Sequence, residues 1–196
     1  MLFFLIFIPV LGAQEASKGT EFSDPGLVRS QGEQVFSFTG GLFFPLFSQD
    51  VGGPVSSFND HLSMGATGAL EWGAYINKNT QLGGQLSGMF AFTPNGRTFS
   101  MVPIVFKYTR VLNFYPVTVP LSLGAGFSFN RLDDLFQFTP ILKPGVSAFW
   151  NFNPEWSLGL NTTYWWVPEI HFSDELSDQS RFGNFLEVSL SLLYHF

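Results

Sequence analysis

The chain has 196 residues, 9 Lys and Arg against 15 Asp and Glu, a net charge of −6 and no Cys. That length suits one domain, and the acidic balance excludes the basic face that nucleic acid needs. The absence of Cys excludes disulfide staples, thiol catalysis and thiolate metal sites. Only 12% of residues are charged while 18% are aromatic, with 25 Phe, and mean hydropathy is +0.19. Yet no stretch approaches the roughly 20 continuous apolar residues of a membrane helix. Such apolarity without a helical span suits a barrel wall, where lipid-facing and lumen-facing residues alternate.

Met1 to Val10 is almost wholly apolar, and Leu11-Gly12-Ala13 ends the run with small residues. Residues 1–13 therefore read as a secretory signal peptide cleaved after Ala13. No Lys or Arg precedes the run, which leaves room for a start a few residues upstream, and no Cys follows it to carry a lipid anchor. Residues 14–34 are rich in Ser, Gly, Gln and Glu without periodicity and read as a loose periplasmic leader. A small plug inside the barrel is the other use of such a segment.

From Val35 onward apolar and polar residues alternate with the period of a strand. Strand one, Val35 to Leu46, sets Phe36, Phe38, Leu42 and Phe44 against Ser37, Thr39 and Gly41, with Pro45 marking its end. Ser48 to His61 reads as a loop. Strand two, Leu62 to Ile76, sets Leu70, Trp72 and Ala74 against Thr67, Glu71 and Tyr75, and Asn77-Lys78-Asn79 turns the chain. Strand three, Gln81 to Phe92, sets Leu82, Leu86 and Phe90 against Gln85 and Ser87, and Pro94-Asn95-Gly96 follows as a turn. Strand four, Thr98 to Val111, sets Ile104, Phe106 and Tyr108 against Lys107 and Thr109. Pro103 inside it lacks a ladder donor, so a bulge is expected there.

Asn113 to Pro116 turns into strand five, Val117 to Phe129, the cleanest alternation in the chain. Asn130 to Thr139 reads as a loop. Strand six, Ile141 to Phe152, sets Leu142, Val146 and Trp150 against Lys143 and Ser147. Asn153-Pro154-Glu155 turns into strand seven, Trp156 to Val167, with Leu158, Leu160 and Trp166 opposite Ser157, Asn161 and Trp165. Pro168 to Arg181 is a long loop. Strand eight, Phe182 to Phe196, sets Val188, Leu190, Leu192, Tyr194 and Phe196 against Glu187, Ser189 and Ser191.

Eight strands with tight connections after strands two, four and six imply an all-β, eight-stranded antiparallel up-and-down transmembrane barrel over residues 35–196. Strand one then pairs with strand eight and no free edge remains. Outward aromatics sort into two interfacial girdles, Trp72, Tyr108, Trp150 and Trp156 on the terminal side and Trp166 on the other. A soluble lipocalin-type barrel inverts the wall, with Glu71, Gln85, Lys107, Lys143, Asn161 and Glu187 outside. A half-buried edge strand of a soluble sandwich is the corresponding alternative for strand eight.

The closing strand, with Phe196, Tyr194, Leu192, Leu190 and Val188, resembles that of bacterial outer-membrane barrels. In them such residues are the signal read by the insertion machinery. Pro120 to Phe129 resembles the central strand of OmpW-like and OmpX-like barrels. The resemblance implies outer-membrane lipid as solvent, a monomer and a narrow channel or surface scaffold, with passage or binding of small apolar molecules. Read from the residues themselves, the lumen holds Glu71, Lys107, Lys143 and Glu187, a paired network that either plugs the barrel or lines a narrow gated pore. His171 and Ser173, with Glu187 in the next strand, resemble the site of the PagL-type lipid A deacylases, where a Ser needs a His base and the His an acid. Asp174 stands where that family carries Asn, and Glu187 sits deeper, in the lumen. Acidic residues crowd the loops without the spacing of a calcium loop, and His61, His171 and His195 do not cluster, so no metal or cofactor is expected.

Overall fold

The computed structural model describes residues 29–50, 55–57, 62–92, 98–114, 116–132, 135–169 and 181–196. Among them run β1 (Gln34–Asp50), the short β2 (Val55–Ser57), β3 (Gly65–Asn77), β4 (Thr80–Phe92), β5 (Thr98–Phe114), β6 (Val117–Leu132), β7 (Leu135–Asn151), β8 (Trp156–Glu169) and β9 (Arg181–His195). β2 is a flap paired to the end of β1. The other eight form one antiparallel sheet in chain order, and β1 also pairs with β9, which closes it into a barrel.

The register fixes the barrel's proportions. Hydrogen-bonded partners lead from Trp156 through Tyr194, Phe36, Trp72, Gly84, Phe106, Ala125 and Leu142 back to β8 at Trp166, ten residues further on. Eight strands with that stagger tilt by about 40° at a rise of about 3.3 Å and a spacing of about 4.8 Å. Trp156 and Trp166 are thus about 25 Å apart along the barrel axis, the height of the apolar band of a membrane barrel.

Alternation decides the faces. Phe38, Leu42, Leu70, Leu86, Ile104, Phe106, Leu121, Leu160 and Leu190 are exposed on the outside, while Ser37, Thr39, Thr67, Ser87, Thr109, Ser128, Ser157, Ser189 and Ser191 are buried inside. Lipid-facing carbon outside and hydrogen-bonding groups inside exclude the inverted, lipocalin-type wall. The connections after β3, β5 and β7 are all tight and lie at the end where the barrel's two termini meet, called the terminal end below; at the other end β6 and β7 are also joined closely, with Leu132 opposite Leu135. Two of the terminal-end turns are built by Asn side chains: Asn77 Oδ1 accepts the Asn79 N–H (3.0 Å), and Asn153 Oδ1 accepts from Glu155 (3.0 Å) and Trp156 (2.7 Å).

Several expected boundaries move. β1 does not stop at Pro45 but bulges between Pro45 and Phe47 and continues to Asp50. A bulge lets a strand pass a residue without an N–H. The bulge expected at Pro103 is not there. Pairing with β4 lapses between Ile104 and Met101 and resumes in the same register, while Pro103 faces Ser128 on β6. The loop expected from Asn130 to Thr139 is mostly strand, with Phe129 opposite Phe138 and Arg131 opposite Phe136. Ser48 to Asp50 and Val55 to Ser57 are likewise strand, β3 begins at Gly65 rather than Leu62, and β5 and β8 extend to Phe114 and Glu169. The last residues of the expected loose leader, Arg29 to Glu33, are bonded to the barrel end, and Gln34 already belongs to β1. The turn at Pro94-Asn95-Gly96 lies outside the described residues.

Gly159 shows how tightly the inner wall is filled. A Cβ there would overlap the Phe149 ring and the Ala148 carbonyl. Gly159→Val should destabilise the barrel by about 1–3 kcal/mol, read as a lower urea midpoint for unfolding from lipid vesicles. Gly40, on the outer face with nothing near its Cβ position, should tolerate Ala with little change.

Candidate functional site

The lumen is the one enclosed environment that the described residues build, and it is stacked in layers. The loop-end layer is apolar. Phe43, Met89, Met101, Ile141, Trp165, Val167 and Phe185 form a buried cluster. Phe43 lies edge-on to Trp165 (5.1 Å between ring centroids) and stacks on Phe185 (5.0 Å). The sequence reading had no such plug. Its signal was an inward parity of large apolar residues at one height, visible only once neighbouring strands are aligned.

Beneath it lie the four charges. Lys143 Nζ donates to Gln85 Oε1 (2.8 Å) and Ser87 Oγ (3.1 Å) and stands 3.8 Å from Glu187 Oε2. It also sits 3.9 Å over the Trp165 ring. Glu187 accepts from Trp165 Nε1 (2.8 Å) at one oxygen and from Ser189 Oγ (2.9 Å) at the other. Lys107 Nζ bonds Glu71 Oε2 at 2.6 Å, and Gln85 Nε2 reaches the same oxygen at 3.3 Å. Gln85 thus joins the two ion pairs. The sequence placed it inside but gave it no such role. Two acids and two bases leave this layer neutral, as buried charges require.

The Lys143–Glu187 side chains are 2% and 4% exposed, whereas Lys107 and Glu71 keep 20% and 14%. The wetter pair borders a small polar cavity lined also by Ser122, Ser147, Asn161, Thr163 and Ser191, in which the space open to water centres is about 40 Å³. At about 10–15 Å³ per water, that holds about three. Asn161 Nδ2 bonds Ser191 Oγ (2.7 Å), and Thr39 bonds Ser191 across the β1–β9 closure.

On the outside, Trp72, Tyr108, Trp150, Trp156 and Trp166 are 37–53% exposed. Tyr194 packs against Trp156 (4.7 Å) and stacks on Phe196 (5.7 Å). The Phe196 backbone exchanges two hydrogen bonds with Gln34 (2.8 and 2.9 Å), so the last residue is part of the closure. His171 and Ser173 lie outside the described residues. Glu187, their expected third partner, has both oxygens engaged by Trp165 and Ser189. Among the described residues no three His, Asp or Glu converge as metal ligands.

A family model matches residues 19–194, nearly the whole chain. The chain belongs to an uncharacterised family of Treponema proteins. It is similar to two uncharacterised proteins of Treponema pallidum (strain Nichols). One is 24% identical over 98 residues, covering 48% of this chain and 34% of the relative, and the other is 28% identical over 124 residues, covering 62% and 54%. The chain thus aligns with between a third and about half of the length of these relatives. Among solved structures it is similar to Neisserial surface protein A (TM-score 0.58, 12% identity, 84% of this chain and 97% of that one). It is also similar to the outer membrane protein OprG of Pseudomonas aeruginosa (TM-score 0.57, 7% identity, 85% and 97%). At these identities the likeness is one of fold, the eight-stranded transmembrane barrel.

Proposed function

We propose that this family member is a monomeric, non-catalytic outer-membrane barrel that serves as a rigid surface scaffold with a closed lumen. The observation that carries the reading is the stacking of the Phe43–Trp165–Phe185 cluster on the nearly dry Lys143–Glu187 pair. Ion passage needs a continuous column of water, and the cavity beside the Glu71–Lys107 pair has room for about three molecules. The engagement of both Glu187 oxygens supports the non-catalytic part. The outward aromatics and the terminal Tyr194 and Phe196 support outer-membrane lipid as solvent and the barrel insertion machinery as partner. The termini then face the periplasm, and the long connections meet any surface ligand outside.

Planar-bilayer recording tests this. Purified protein that migrates as a heat-modifiable barrel should give no steady current. A reproducible current that changes in Glu71→Gln or Lys107→Met would replace the scaffold by a channel.

A further inference from the structure

The terminal mouth is closed by a piece of chain that precedes the wall. Arg29, itself buried, donates from Nη1 to Glu33 Oε1 (2.6 Å) and to the Pro154 carbonyl (2.7 Å). The Gly32 N–H donates to the Tyr75 carbonyl, and the Tyr75 N–H to that of Glu33, each at 2.8 Å. Next to this turn lies His195, 6% exposed. Ser157 gives its only hydroxyl proton to Asn151 Oδ1 (2.6 Å), so its 3.4 Å contact with His195 Nε2 requires the proton on Nε2. Nδ1 is then a bare lone pair, buried and without a hydrogen-bond partner among the described residues. The carboxylate oxygen 3.8 Å from it, Glu33 Oε1, is the one already bonded to Arg29.

The groups that surround the ring decide what acid does. Arg29 and Glu33 face it from the turn, and Tyr75 of β3 is tied to that turn by its backbone. Glu155 of the β7–β8 turn accepts the His195 N–H through its carbonyl (2.7 Å), and β7 and β8 add the neutral Asn151 and Ser157. As it stands the cluster is neutral, with one guanidinium and one carboxylate. An imidazolium would be a second buried cation sharing a carboxylate that is already paired. We propose that His195 is an acid-sensitive latch: once protonated it cannot stay covered beside Arg29, and the turn from Arg29 to Gln31 lifts off the barrel mouth.

The sign follows from linkage. The closed state holds the neutral ring, so closure is fully favoured above the ordinary imidazole titration and weakens as pH falls through it. With an unperturbed value of about 6.5, the open-to-closed ratio rises up to about 30-fold between about pH 7.5 and pH 5.0. The chain has no Cys, so a single nitroxide on Gln31→Cys reports the turn without background. In vesicles its spectrum should be immobilised at the higher pH and gain a mobile component of about that factor at the lower. His195→Gln, or His195→Asn if the Gln variant does not assemble, should remove the pH response. An unchanged wild-type ratio, or the same rise in the variant, would overturn the latch. Loss of heat-modifiable migration at the lower pH would overturn it too, since the whole wall would then be opening.

Discussion

Lys143→Met should destabilise the folded barrel by about 3–5 kcal/mol, because it leaves Glu187 ionised, buried and without its cation. The lysine has no spare capacity: its ammonium bonds Gln85 and Ser87, stands 3.8 Å from Glu187 and lies over the Trp165 ring. The partner cannot turn to water, being 4% exposed with both oxygens held in place. The double variant Lys143→Met, Glu187→Gln should recover most of the loss. A neutral amide keeps an oxygen for Trp165 Nε1, and a well-packed apolar replacement of a buried pair is often neutral. Lys107→Met should be milder, since Glu71 stays bonded to Gln85 and borders the wet cavity. Urea unfolding in vesicles, followed by Trp fluorescence and gel migration, measures all three. Equal losses for Lys143→Met and Lys107→Met, or no rescue in the double variant, would show that burial does not divide the layer in this way.

What could be read from the sequence follows the physics of each feature. The wall was legible because its period of two is imposed by the backbone and its two faces meet different solvents, so each of Val188, Leu190 and Leu192 repeats the same message. The tight turns were legible because Asn77 and Asn153 act on backbone two or three residues away. The four lumen charges stood out because charged residues are scarce in these strands, although no spacing within one strand shows that Lys143 meets Gln85, 58 residues earlier. The apolar cluster was hidden for the same reason. Phe43, Trp165 and Phe185 come from β1, β8 and β9, and only the register of those neighbouring strands, with Trp165 opposite Phe185 and Phe185 opposite Pro45, sets them side by side. Prolines misled in both directions. Pro45 read as an end and became a bulge, while Pro103 read as a bulge and merely left a gap, because a missing donor can be accommodated in either way. Phe136 to Thr139 kept strand alternation, but nearby Asp133 and Asp134 drew the boundary of the expected loop too wide.

Leu190→Arg should destabilise the barrel by about 2–4 kcal/mol, the penalty for a basic side chain on the lipid face near the bilayer midplane. Leu190 is 59% exposed, and its partner Leu160 lies four residues above Trp156 and six below Trp166, so the substitution falls well inside the apolar band. The same change at Phe152, also exposed but level with Trp156 in the terminal girdle, to which its N–H is bonded (3.1 Å), should cost only about 0–1 kcal/mol, because the guanidinium reaches headgroups and water there. Depth dependence is what separates hydrocarbon from water as the outer solvent. Were the outer wall wet, both exposed positions should accept Arg within about 0.5 kcal/mol, as ordinary surface sites do. Unfolding from vesicles of defined thickness gives the comparison. Thinner bilayers should shrink the Leu190→Arg penalty and leave that of Phe152→Arg unchanged, since only the former depends on the distance to the nearest interface. Two equal small penalties would mean that the side carrying Leu158, Leu160, Leu190 and Leu192 does not face lipid, and the assignment of inside and outside in this barrel would fall with it.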